Sequence, residues 1–186
     1  MTELSTVSPG PKGRSTALVV GVGLMGGSLA AALRRAGGWH LVGLDADADR
    51  AHTALEQGFV DEIAGNLAEG ARDADLIVLA TPVRTILSYL DELGRIAPAN
   101  AVVIDLGSSK LDICAAMDAL PEGMQAIGGH PMAGKQTAGV AGADPDLYAG
   151  RKFVLVETRR TTDRARQLAL ALVEAIGAVP VWTCLL

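Results

Sequence analysis

The chain has 186 residues, of which 49% are hydrophobic, 20% charged and only 3% aromatic, and its net charge is −5. That length can bury a sizeable core, which Leu, Val, Ile and Ala must fill. Charges of both signs are scattered, without the basic stripe that nucleic acid requires, and no apolar run approaches the ~18 residues that cross a bilayer.

Residues 1–16, rich in Ser, Thr, Pro and Gly, lack the apolar stretch of a secretory signal and read as a disordered leader. The folded domain is expected over residues 17–186. Short β-type runs then alternate with helical patterns. Ala17–Gly21 is a buried strand, Leu24–Ala36 an Ala/Leu-rich helix, Trp39–Leu44 a second strand, and Asp49–Gln57 a helix. Leu76–Ala80 is a continuously apolar strand, followed by a helix over Thr85–Ile96, a strand over Val102–Asp105 and a helix over Ser109–Leu120. Gln125–Gly128 and Phe153–Glu157 read as strands separated by a long loop, Pro131–Gly150. An amphipathic helix, Thr162–Ile176, and a last strand, Val179–Trp182, complete the pattern. Strands apolar on both faces and joined by helices predict a doubly wound, mostly parallel α/β sheet. The two cysteines, Cys114 and Cys184, have no metal-type spacing. Cys114 falls in a helical pattern as a small apolar filler, and a reducing cytoplasm is the expected setting.

The first strand–helix turn reads L-V-V-G-V-G-L-M-G-G-S, with Gly21, Gly23 and Gly26 in G-x-G-x-x-G register. After a buried strand and before a helix, that spacing has a physical use. Gly21 permits a tight turn, Gly23 lets backbone N–H groups approach a pyrophosphate, and Gly26 lets the helix pack on the strand. The helix N-terminus then faces the phosphates. Val22, Leu24 and Met25 complete the loop. The second strand ends in Asp45, 24 residues after Gly21, where an acid binds the adenine-ribose hydroxyls of NAD and repels the 2′-phosphate of NADP. The alternative role for Asp45 is a helix cap, with Asp47 as the fallback ribose ligand. NAD is therefore the expected cofactor. Ligands of such sheets bind beyond the carboxyl ends of the strands, which here carry Thr81-Pro82-Val83, Asp105 to Lys110, and Gly129-His130-Pro131.

In this order, G-V-G-L-M-G-G-S, A-T-P-V, D-L-G-S-S-K and G-G-H-P-M-A-G-K resemble the prephenate/arogenate dehydrogenase family of tyrosine biosynthesis, over about Ala17 to Trp182. The resemblance implies oxidative decarboxylation of a cyclohexadienol with NAD. It makes His130 the residue that hydrogen-bonds the substrate hydroxyl and takes its proton, a task suited to an imidazole. It makes Ser108 the serine that orients the histidine and the hydroxyl, and it sets Thr81, Pro82 and Val83 along the nicotinamide. Read from the residues alone, Ser108 and Ser109 are equally cap candidates for the following helix, and Lys110 is a surface residue or a partner of Asp105. His40 and His52 have no catalytic context.

The sequence departs from the family at two places. Gln136 stands where the family carries an acid, and the chain ends at V-W-T-C-L-L, where a helical dimerisation domain with a carboxylate-binding arginine is expected to begin. Arg84, Lys135 and Arg151 are the remaining basic candidates for substrate carboxylates. The expectation is a cofactor domain of a homodimeric family, able to bind NAD and weakly active or inactive alone. Arogenate or an amino-deoxy analogue is the alternative substrate. A non-catalytic NAD-binding module and a hydroxyacid or imine reductase are the alternative classes.

Overall fold

The structure is a computed structural model and describes residues 14–96, 98, 100–134 and 139–184. The leader up to residue 13, and Lys135 and Gln136, lie outside the described residues. Eight strands form one sheet: β1 (Ser15–Val20), β2 (Trp39–Leu44), β3 (Glu62–Ile63), β4 (Leu76–Leu79), β5 (Val102–Asp105), β6 (Gln125–Pro131), β7 (Lys152–Glu157) and β8 (Val179–Thr183). Their order is β3-β2-β1-β4-β5-β6-β7-β8, so the chain reverses its direction of winding between β1 and β4.

Six helices cover the sheet: α1 (Leu24–Ala36), α2 (Ala48–Glu56), α3 (Leu67–Ala71), α4 (Val83–Ile96), α5 (Lys110–Asp118) and α6 (Asp163–Ala175). The period-2 alternation of each strand sends side chains into two separate cores. Ala17 and Val19 meet Leu29 and Leu33 of α1, Ala54 of α2 and Leu168 and Leu172 of α6. Leu18 and Val20 face the other way, with Leu67 of α3, Ile86 and Leu90 of α4, and Ile113 and Met117 of α5. Burial on both faces accounts for the continuous apolar runs.

The sheet is mostly parallel as expected, with one antiparallel pair, and three expectations need correction. The leader does not reach residue 16: Ser15 and Thr16 belong to β1, where they pair with Trp39 and His40 and the Thr16 N–H donates to Asp75 at 3.0 Å. The sheet turns antiparallel between β6 and β7, while β7 and β8 run parallel to each other. That reversal lengthens β6 beyond Gly128, because Gly129, His130 and Pro131 pair with Leu155, Val154 and Phe153. His130 is thus a strand residue and not a turn residue. Two short elements, β3 and α3, and a 3₁₀ turn over Val140–Gly142 also lie in stretches without periodicity. The α3 turn is made by its ends: Asn66 accepts the Glu69 N–H at 2.9 Å, and Glu69 returns to the Gly65 N–H at 3.0 Å, a reciprocal cap.

The long connection after β6 is pinned to α1. The Tyr148 hydroxyl donates to the Met25 carbonyl at 2.7 Å, the Asp144 N–H donates to Ser28 Oγ at 2.9 Å, and Arg35 pairs with Asp146 at 2.7 Å. Tyr148 is wholly buried, and burial pushes its hydroxyl far above the usual tyrosine value. Among the described residues, no helix is long and apolar enough to cross a membrane.

Candidate active site

The loop between β1 and α1 fits a pyrophosphate. Gly21 has φ +91°, and a Cβ there would lie 2.7 Å from Thr81 Cγ2 and 2.9 Å from the Ala80 carbonyl oxygen, so only glycine suits the turn. A Cβ on Gly26 would lie 1.9 Å from the Gly21 carbonyl oxygen, which brings helix and strand together backbone to backbone. At Gly23 a Cβ would meet nothing within 4 Å, leaving an open approach to the backbone. The α1 helix has neither a capping side chain nor an acid in its first turn. Its leading N–H groups and positive dipole end therefore suit an anion. By contrast, α2, α3 and α6 are capped by Asp47, Asn66 and Thr162. Leu24 and Met25 form the first turn of α1, and the Val22 N–H is already committed, to Asp45.

Asp45 sits at the carboxyl end of β2 with its side chain only 5% exposed. The Val22 N–H donates to Oδ2 and the Asp47 N–H to Oδ1, each at 3.0 Å. Asp47, not Asp45, caps α2, accepting from the N–H groups of Asp49 and Arg50, which frees Asp45 from the capping role. The Arg50 guanidinium bridges the two acids, 3.4 Å from Asp45 and 3.0 Å from Asp47.

The next strand ends bring Thr81, Pro82 and Val83, then Ser108, then His130 to the same edge, because β4, β5 and β6 are adjacent and parallel. Two buried polar atoms there, Thr81 Oγ1 and His130 Nδ1, have no hydrogen-bond partner among the described residues. An orphaned buried polar atom is costly unless a ligand satisfies it. Ser108 and Ser109 are exposed, and Ser109, although it precedes α5, makes no side-chain cap. A cleft of about 710 Å³ opens beside His130, lined also by Met132, Ala133, Leu147 and Arg151. Arg84 lies outside it, on the exposed first turn of α4. A second cleft, about 340 Å³, lies at the opposite, amino ends of β1 and β2, beside Thr16 and His40. His40 is tied there to Glu62 at 2.9 Å, while His52 bonds the Ala48 carbonyl on α2. Neither approaches the loop.

One cluster was legible only as an alternative. Lys110 pairs with Asp105, which has no exposed surface, and also donates to the Gly129 carbonyl at 2.6 Å. Burial pushes the Asp105 carboxyl above the ordinary aspartate value, while the Lys110 ammonium and the N–H groups of Gly129 and Gly107 pull the other way. Cys114, beneath β6, is also buried, and its thiol is pushed up to about 11.

A glycine turn at the β1–β4 switch point, an open helix N-terminus and an acid closing β2 define a Rossmann-type dinucleotide-binding domain. Residues 29–182 match the family model described as the prephenate dehydrogenase nucleotide-binding domain. The chain belongs to that family. It is 34% identical over 155 residues to prephenate dehydrogenase of Bacillus subtilis, covering 82% of this chain and 42% of that one. It superimposes on prephenate dehydrogenase of Aquifex aeolicus, solved in complex with hydroxyphenyl propionate and NAD+, with a TM-score of 0.83 and 32% identity. That match covers 92% of this chain and 60% of the other. Arogenate dehydrogenase of Synechocystis gives 0.83 and 32%, over 91% and 59%. The chain thus spans between 42% and 60% of the length of these relatives.

Proposed function

We propose that this chain, from β1 onward, forms the NAD-binding domain of a dehydrogenase that oxidatively decarboxylates prephenate to 4-hydroxyphenylpyruvate, with His130 as its base. The observation that carries this reading is the unpartnered His130 Nδ1 at the carboxyl end of β6, one strand from Ser108 and two from Thr81. In this reading Gly21, Val22, Gly23, Leu24, Met25 and Gly26 form the pyrophosphate loop, Asp45 takes the adenine-ribose hydroxyls, and Thr81, Pro82 and Val83 line the nicotinamide. Bound NAD supplies the hydride acceptor for the ring carbon that bears the hydroxyl.

His130 accepts the hydroxyl proton as the carbon–hydrogen bond breaks, and Ser108 orients that hydroxyl. The bond to the ring carboxylate then cleaves, carbon dioxide leaves with its electron pair returned to the ring, and the ring becomes aromatic. Aromatisation makes the step strongly downhill, so the residues' task is positioning and proton acceptance. Arg151, in the same cleft as His130, is the described basic side chain best situated for a substrate carboxylate. The likeness to an arogenate dehydrogenase supports a second reading, with arogenate as substrate. The family's homodimeric state and a cytoplasmic setting complete the proposal.

Two measurements test it. Calorimetric titration with NAD and NADP is expected to show tighter NAD binding, weakened by Asp45→Ala. NADH formation with prephenate and with arogenate is expected to vanish in His130→Asn while NAD binding persists. If His130→Asn turns over as the parent does, the assignment fails.

A further inference from the structure

The hydrogen-bonded register between β5 and β6 ends at the Ile104–Ile127 pair, two residues short of Gly129. Past that point the strands are joined by side chains. Asp105 Oδ1 accepts the Gly129 N–H at 3.0 Å, and its Oδ2 accepts the Gly107 N–H at 2.8 Å. Lys110 donates to the same carboxylate and, at 2.6 Å, to the Gly129 carbonyl. Both backbone polar groups of Gly129 are thus taken by one buried ion pair. Gly129 itself is forced, since a Cβ there would lie 2.5 Å from the Asp105 carbonyl oxygen. The next residue is His130.

Stability alone does not account for this choice. A buried ion pair is often no more stabilising than apolar residues of the same volume. Lys110 is moreover the first residue of α5, where the helix dipole disfavours a cation. An apolar pair would fill the space but could engage neither the N–H nor the carbonyl of Gly129.

We propose that Asp105 and Lys110 are positioning residues for His130, clamping the Gly129 backbone so that the imidazole holds a fixed distance from the substrate hydroxyl. The proposal rests on His130 being the base, but the clamp can be read without turnover. In Lys110→Met, amide exchange at Gly129 and His130 is expected to quicken at least about tenfold, while Val78 and Val103 in the central strands exchange as before. Kinetically, kcat for prephenate is expected to fall about tenfold or more, with KM and the NAD dissociation constant within about threefold of the parent. Should Lys110→Met fail to fold, Asp105→Asn/Lys110→Met carries the same test, because it leaves no unpaired buried charge. Unchanged exchange at Gly129 and His130 overturns the proposal. So does a loss of kcat matched by equal losses of NAD affinity and central-strand protection. A parent chain that does not bind NAD counts against the functional reading, and the exchange measurement still decides the clamp.

Discussion

Two alanine substitutions in one loop, Gly26→Ala and Gly23→Ala, separate packing from binding. At Gly26 the new methyl would lie 1.9 Å from the Gly21 carbonyl oxygen and 3.0 Å from Ala80 Cβ. Because the nearer obstacle is backbone, α1 must retreat from β1 by more than about 1 Å, and overpacking of this kind costs about 1–3 kcal/mol. For a chain of this size each kcal/mol lowers Tm by about 2–4 °C. At Gly23 a methyl meets nothing within 4 Å, and the residue's φ of −70° is open to any amino acid. Gly23→Ala is expected to leave Tm unchanged or to raise it, since restricting the unfolded chain is worth about 0.4–1 kcal/mol. The same methyl would stand between the backbone and a pyrophosphate, so NAD affinity is expected to fall at least about tenfold, or 1.4 kcal/mol. Scanning calorimetry and NAD titration on both variants check this. Parental NAD affinity in Gly23→Ala, or parental Tm in Gly26→Ala, would refute the account of the loop.

Asp45→Ala removes the acceptor of the Val22 N–H and releases Arg50; NAD affinity is expected to drop about tenfold or more and the preference to shift toward NADP, read by competitive titration. Tyr148→Phe removes the hydroxyl that bonds the Met25 carbonyl inside the core, and a loss of about 0.5–1.5 kcal/mol is expected by urea denaturation. Burial opposes ionisation of Asp61, yet the Leu41 N–H and Arg34 outweigh it and hold the carboxyl below the ordinary value. Its stabilising contribution is present above about pH 3.9, the free-aspartate value, and is lost as pH falls through the lower folded value. The drop in Tm on acidification is accordingly expected to shrink in Asp61→Asn. With the Cys114 thiol buried and pushed up to about 11, only exposed Cys184 is expected to react with iodoacetamide at neutral pH, and both after denaturation.

The sequence carried most where glycines and apolar runs bound an element. The expected spans of α1 and β2 match because Gly23 and Gly37 bracket the helix and Asp45 closes the strand. The two-residue β3 and five-residue α3 are too short to show a period, although Asn66 followed by Glu69 is a cap signature that points to α3. Strand direction left no trace in the composition of Phe153–Glu157. A clue lay in the connection before it, which lacks the crossover helix that a parallel neighbour of β6 would need. The bond between Asp105 and Lys110 was visible only as one of two options, because five residues across a turn do not fix where a lysine points. Its second target, the Gly129 carbonyl, comes from β6 and required the fold. The roles proposed for His130 and Ser108 rest on motif likeness, to which the structure adds their location and an unpartnered nitrogen on His130.

The reversal at β7 gives the site edge an electrostatic direction. Helices α1, α2, α4 and α5 each follow a strand that ends at that edge and so point their positive ends toward it, whereas α6 follows β7 and points its negative end there. Anionic groups are therefore favoured from β2 across to β5 and lose that support at β6, beside His130. A dinucleotide laid along this edge has one preferred polarity: diphosphate over β1, the positively charged nicotinamide ring of NAD+ toward β6 and the negative end of α6.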